Sequence, residues 1–313
     1  MQHGVYTGFT VQNHDLIIYT ERNTMLGIKD KKLTELYFHQ NDIEAKFGFR
    51  AAKCPDVNMF PAVIIALVVL GMFYAVIYYL VPESFIAEMF LERTSRLIPF
   101  LITLFSCLCL ATILLKWAKL HTQWKAFQLR LFPDDPDFVL AEGNAREYLD
   151  MMRRCTDGTE HFILLCRVER ALASLHNIGR VSDSVSMLES QAQTDEDELQ
   201  SSYTLISGLI WGIPVLGFIG TVLGLSQSIG AFGKVLSSAE AEGIQALTES
   251  LRHVTAGLST AFETTLEGLV AALFIQLLVA GLRKKEELFL DQCKEYCHRN
   301  IISRLRIVDF EEE

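Results

Sequence analysis

The stretch LISGLIWGIPVLGFIGTVLGL, residues 205–225, carries no charged side chain, yet it holds five glycines, Pro214 and Thr221. About 20 apolar residues suffice to cross a bilayer as a helix, and any mixture of Leu, Ile and Val would serve as an anchor. Here Gly217, Gly220, Thr221 and Gly224 follow at three- and four-residue steps, which places them on one helix face. Small residues on one face let a neighbouring helix approach backbone to backbone, and Thr221 brings a hydroxyl into that seam. The segment reads as a membrane helix closely packed against something, not as a simple anchor.

Three other segments share its apolar character: 59–81, 97–115, which ends at Lys116, and 262–282, which carries Glu263 and Glu267 near its start. The 313-residue chain is 50% hydrophobic with a mean hydropathy of +0.25, too apolar for an ordinary soluble domain. The expected fold class is an all-α membrane protein with four transmembrane helices. A cleaved signal peptide is not expected, because 58 mostly polar residues precede the first span.

Basic residues set the orientation. Segments 1–58, 116–204 and 283–313 hold seven, ten and seven Lys or Arg, whereas 82–96 and 226–261 hold two each. Twenty-four against four puts both termini and the long middle segment on the cytoplasmic side. The net charge of −10 bears little on this, since Asp and Glu contribute weakly to topology. Cys54, Cys155, Cys166, Cys293 and Cys297 fall in the cytoplasmic segments, and Cys107 and Cys109 fall within a span, so no disulfide framework is expected. His161 with Cys166, and Cys293 and Cys297 with His298, lack the second half of a zinc site. Cys293 and Cys297 read instead as the small side of a helix stripe with Phe289, Tyr296 and Ile301.

The expected organisation is an N-terminal cytoplasmic segment (1–58), spans one and two (59–118), a helical cytoplasmic region (119–200), a core with spans three and four (201–282) and a C-terminal helix (283–313). Residues 1–58 show no sustained period and no fold is assigned to them. Residues 116–131 continue the second span until Pro133, Asp134, Asp135 and Pro136 interrupt it. Apolar spacing predicts helices over 137–154 and 160–178, the latter stopped by Gly179, and an acidic helix over 181–203 leading into the third span. Residues 283–306 lack Pro and Gly and predict a projecting helix about 35 Å long.

Thr221 lies 16 residues beyond Leu205, and Thr265 lies 17 before Leu282, so both are about 25 Å from the inner interface. On the fourth span Ala261, Thr265, Gly268, Ala272 and Ile275 form another narrow face. If both faces border one central space in an oligomer, the threonines form an uncharged polar belt able to hydrogen-bond water or a cation. The plainer reading is that each threonine bonds the carbonyl four residues back and the small faces only pack helices. Glu263 and Glu267 share a different face; within the membrane a carboxylate normally has a function or a partner, whereas in the headgroup region it is simply wet. His253 lies outside the membrane, and histidine is the side chain whose ordinary charge change falls near neutral pH. No charged relay through the bilayer centre, nucleotide-binding glycine loop or nucleophile–base arrangement is present, so no enzyme is expected.

The run PVLGFIGTVLGL (214–225) resembles the pore-lining helix of the MotA/TolQ/ExbB proton-channel family, and GLSTAFETTLEGLVAAL (257–273) resembles its partner helix. Thr265 then falls on the family's pore threonine and Gly268 on its glycine, and the four-span layout is similar to MotA. The AFETTL run is also similar to the ZorA branch. Phe274, where relatives carry a proline, and Glu267, where they carry an apolar residue, depart from the pattern. The resemblance implies a ring of five subunits around a MotB/TolR/ExbD/ZorB-like single-span partner with an intramembrane Asp. This chain would be the ring subunit of a bacterial inner-membrane motor or energiser. Thr221 and Thr265 would bound the ion path, Pro214 would supply a bend, and Gly217, Gly220, Gly224, Ala261, Gly268 and Ala272 would pack the pore helices. Glu267, Glu263 and His253 are the candidate ion-access groups. The ion expected is H⁺ in preference to Na⁺, with no cofactor, metal or nucleic acid; membrane lipid is the other contact. The alternative is a non-conducting scaffold that keeps the ring.

Overall fold

The computed structural model describes residues 55–80, 90, 97–129, 131–133, 138–140, 142–156, 158–175, 181–238 and 243–305. The expectations for residues 1–54, for Asp134, Asp135 and Pro136 and for Gly179 lie outside them. An uninterrupted apolar run gives α1 (Met59–Leu80), and a second one, ending at Lys116, opens α2 (Leu97–Trp124), which continues through Lys119 and His121 before tightening into a 3₁₀ turn at Lys125–Gln128. Shorter helices follow at α3 (Glu142–Cys155), α4 (Ile163–Ser174) and α5 (Val181–Ser202), and then the long α6 (Thr204–Ser238) and α7 (Gly243–Asn300). The described residues are all helical apart from turns and one isolated bridge between Leu140 and Leu305. Among the described residues, four helices are long and apolar enough to cross a membrane.

Several boundaries differ from the sequence expectation. α6 runs 13 residues past Leu225 and α7 starts 19 before Phe262, because no proline follows Pro214 to stop either helix. Helix α3 begins at Glu142, since Leu140 is extended and donates its N–H to the Arg304 carbonyl at 2.7 Å. A 3₁₀ turn at Thr159–His161 delays α4, which ends at Ser174. The C-terminal helix stops at Asn300 and gives way to a 3₁₀ turn at Ile302–Arg304.

The chain divides into two compact units. In one, whose described residues fall in 55–124 and 189–294, α1 meets α2 through Ala66 and Leu70 against Cys107 and Ala111. In the other, whose described residues fall in 125–188 and 295–305, α4 buries Leu164, Leu165, Val168 and Leu172 while α3 buries Ala145, Tyr148 and Met152. Each fully buried aliphatic side chain there contributes on the order of 1.5–3 kcal/mol. Arg153 on α3 bridges to Glu169 on α4 at 2.7 Å, and the Thr159 hydroxyl also donates to Glu169. The stripe reading of the cysteines holds: Phe289, Cys293, Cys297 and Ile301 are all buried.

Candidate functional site: the seam between the two glycine-rich spans

Helices α6 and α7 meet along their small faces with almost no side chain between them. A Cβ placed on Gly217 would sit 2.9 Å from the Thr264 carbonyl oxygen, and one on Gly224 would sit 2.8 Å from that of Gly257. From the other helix, a Cβ on Gly268 would reach the Ile213 carbonyl at 3.0 Å and the Pro214 Cα at 3.5 Å. Gly220 meets Thr264 and also Ile98 of α2, so three spans converge there. Ala261 and Ala272 are buried on the same α7 face. Thus the two narrow faces pack against each other within one chain. Pro214 lies inside α6, where it lacks the N–H that would bond the Ile210 carbonyl, close to where Gly268 approaches.

Thr221 and Thr265 meet in this seam. Their hydroxyls are hydrogen-bonded to each other, and both reach the same two carbonyls: Thr221 lies 3.2 Å from the Gly217 oxygen and 3.1 Å from that of Ala261, and Thr265 lies 3.2 Å from each. A hydroxyl has one proton to donate and two lone pairs. Two protons here face four carbonyl options and each other, so the pair can exchange bonding patterns without moving a heavy atom. Each oxygen keeps lone-pair capacity to accept from a water or a hydrated proton. Both residues are half-buried, so one edge of the pair stays accessible. Further along, Ser228 donates to the Gly224 and Val254 carbonyls at 3.0 Å, and Thr264 is buried with its hydroxyl on the Thr260 and Ala261 carbonyls.

Between the threonines and the other end of the span, the buried α7 face is Gly268, Ala272, Ile275, Val279 and Leu282. This dry row ends at a polar cluster that sequence reasoning missed. Lys116 of α2 and Glu286 of α7 lie 3.6 Å apart with side chains only 2% and 8% exposed. Lys116 also donates to the Pro55 carbonyl at 3.0 Å and the Ser202 hydroxyl at 2.8 Å, and its ammonium lies 4.4 Å from the Tyr203 ring centroid. The Tyr203 hydroxyl donates to Glu286, and Lys119 donates to the Asp56 carbonyl at 2.8 Å. The start of α1, the end of α2, the α5–α6 junction and α7 are therefore tied together by one network. The only sequence signal was that Lys116 terminates an apolar run; Glu286 was hidden beside Arg283, Lys284 and Lys285, which read as a plain interfacial stop.

The access candidates separate from the seam. Glu263 accepts from Ser259 at 2.5 Å, one turn away on its own helix. Glu267 accepts from Thr103 of α2 at 3.4 Å and does not join the threonine pair. His253 lies on α7, with its side chain outside the described set.

Residues 167–295 match the model of the MotA/TolQ/ExbB proton channel family. No curated protein and no solved structure gives a match. The MotA/TolQ/ExbB match spans both motifs that carried the resemblance and extends through α5 and most of α7. Four membrane-capable helices among the described residues, together with the match to a membrane channel family, make the chain a multi-pass membrane protein. The seam, with Thr221 and Thr265, lies wholly inside the segment that matches this family model; α1 and α2 lie outside it.

Proposed function

We propose that this chain is the ring-forming subunit, a pentamer, of a bacterial inner-membrane motor or energiser driven by ion flow, with both termini cytoplasmic. The observation that carries the reading is the Thr221–Thr265 hydroxyl pair, joined across α6 and α7 inside a segment that matches a proton-channel family. A cation crossing a membrane needs oxygen ligands that do not trap it by charge, and neutral hydroxyls beside carbonyls meet that need. The pair bounds an ion path along the open edge of the seam, opposite the single transmembrane helix of a MotB/TolR/ExbD/ZorB-like partner whose Asp takes up and releases the ion. The ion is H⁺ in preference to Na⁺, because two hydroxyls fall well short of a dehydrated sodium ion's oxygen shell. Pro214 provides the bend point, and the glycine and alanine faces hold the two pore helices together. Exposed Phe218, Val222, Phe262, Leu266, Leu273 and Leu277 on α6 and α7 supply apolar surface for neighbouring subunits and lipid. Glu263 and His253 lie towards the outer mouth as access groups.

One observation favours a second reading, a non-conducting scaffold of the same architecture. Each threonine also reaches the carbonyl four residues back on its own helix, Gly217 for Thr221 and Ala261 for Thr265, which satisfies its hydroxyl by packing alone. The test is acidification of cells making the chain with a single-span partner, comparing wild type with Thr221→Val plus Thr265→Val. A partner-dependent proton leak that vanishes in the double variant at equal membrane abundance supports the motor. Equal behaviour of the two, with the biological phenotype intact, supports the scaffold.

A further inference from the structure

Glu267 is a carboxyl in the wrong place for a packing residue. It lies two positions beyond Thr265, so on α7 it points about 200° away from the threonine pair. It turns towards α2, where Thr103 sits with its hydroxyl 3.4 Å from the carboxylate oxygen and 2.7 Å from the Pro99 carbonyl. Thr103 is buried at 6% exposure, and the Tyr74 phenol of α1 neighbours both Thr103 and Glu267. Three proton-bearing side chains from three helices thus gather at one place.

Two independent depths put that place within the membrane. Glu267 precedes Leu282 by 15 residues, or roughly 22 Å from one side, and Thr103 follows Leu97 by six, or roughly 9 Å from the other. The two together match a hydrocarbon core about 30 Å thick. Glu267 therefore lies below the headgroups, about two helical turns from the outer surface and level with the threonines. An ionisable group at such depth is a functional site by default, because a neutral side chain of the same size would fill the space at far lower cost.

We propose that Glu267, with Thr103 and Tyr74, forms a proton-binding site on the α2 side of the bundle that loads the ion path from the outer face. The function of this site rests on the motor reading; its existence does not. Thr103 can donate to the carboxylate or accept from the acid, so it serves both states of the exchange. Among the described residues, the Tyr74 phenol lies near both Glu267 and Cys107, and Glu263 precedes Glu267 by one turn of α7.

The test uses a hydrophobic carbodiimide on membranes holding the full chain. The carboxylic O–H adds across one C=N bond, its proton moving to nitrogen and its oxygen bonding carbon, and acyl transfer to nitrogen leaves a stable acylurea with nothing lost. Mass spectrometry should place this adduct on Glu267 at pH 6, fade it at least tenfold by pH 9, and find none in Glu267→Gln. With a single-span partner, Glu267→Gln should slow acidification at least tenfold while Glu267→Asp retains part of it, both at wild-type membrane abundance. Absence of the adduct in wild type overturns the site. An adduct with undiminished acidification in Glu267→Gln overturns its loading role. If wild type itself conducts nothing, an adduct on Glu267 upholds the proton-binding site while the motor reading falls.

Discussion

Replacing Gly224 by alanine tests whether the two spans touch through their backbones. The added Cβ would sit 2.8 Å from the Gly257 carbonyl oxygen and 3.1 Å from both the Ala261 nitrogen and its Cβ. Carbon ordinarily meets a carbonyl oxygen at about 3.3 Å, so the new atom is about 0.5 Å too close. None of these neighbours has a rotamer to change, so the helices must separate. Such overpacking costs about 1–3 kcal/mol, and alanine's better helix propensity returns at most about 1 kcal/mol. Gly208 on the same helix is the control, because a Cβ there meets nothing within 4 Å and only the propensity gain remains. The expected result is that Gly224→Ala unfolds about 1–3 kcal/mol more easily than Gly208→Ala. It is read from SDS titration of the purified chain in mixed micelles by tryptophan fluorescence, with Trp211 on α6 as reporter. If the two variants agree within about 0.5 kcal/mol, the margin of an ordinary surface change, the close approach is refuted.

The other expectations follow from charges paired between helices. Lys116→Met should destabilise the chain by about 3–5 kcal/mol, because it strands Glu286 without its cation; adding Glu286→Leu should recover much of that loss, and a double variant no better than the single one would refute the pairing. In the other unit, burial alone would raise the Glu169 carboxyl, but hydrogen bonds from Thr159 and Arg153 and the charges of Arg153 and Arg170 hold it below its ordinary value. A depressed folded value means that Glu169 contributes stability above the ordinary carboxylate range and loses it as pH falls through the folded value. Glu169→Gln should therefore flatten the thermal midpoint between pH 5 and pH 3 at about that range, and an unchanged acid slope would count against it.

The four spans were legible because a membrane demands long uncharged helices, and that demand writes itself directly into composition. The resemblance to the channel family was legible for a related reason: the glycine and threonine spacing in 214–225 and 257–273 survives as local pattern, and the match over 167–295 covers it. Helix ends were less legible. Residues 226–238 and 243–261 read as a connection because they are polar, yet without proline they continue α6 and α7. Tyr203 gave no sign that it would interrupt the helix from α5 to α6 while anchoring Glu286.

By itself the sequence determined a multi-pass helical protein with two small-residue faces bearing Thr221 and Thr265. Periodicity fixes which residues share a face of one helix, and that needs no knowledge of neighbours. It left open what each face meets. Tertiary structure decided that the two faces close on each other, that their hydroxyls share the Gly217 and Ala261 carbonyls, and that Glu267 turns away to Thr103. It also joined Lys116 to Glu286, 170 residues apart in the chain. Such pairings depend on crossing geometry and on which backbones can approach within van der Waals contact, and neither is encoded in the residues of any single helix.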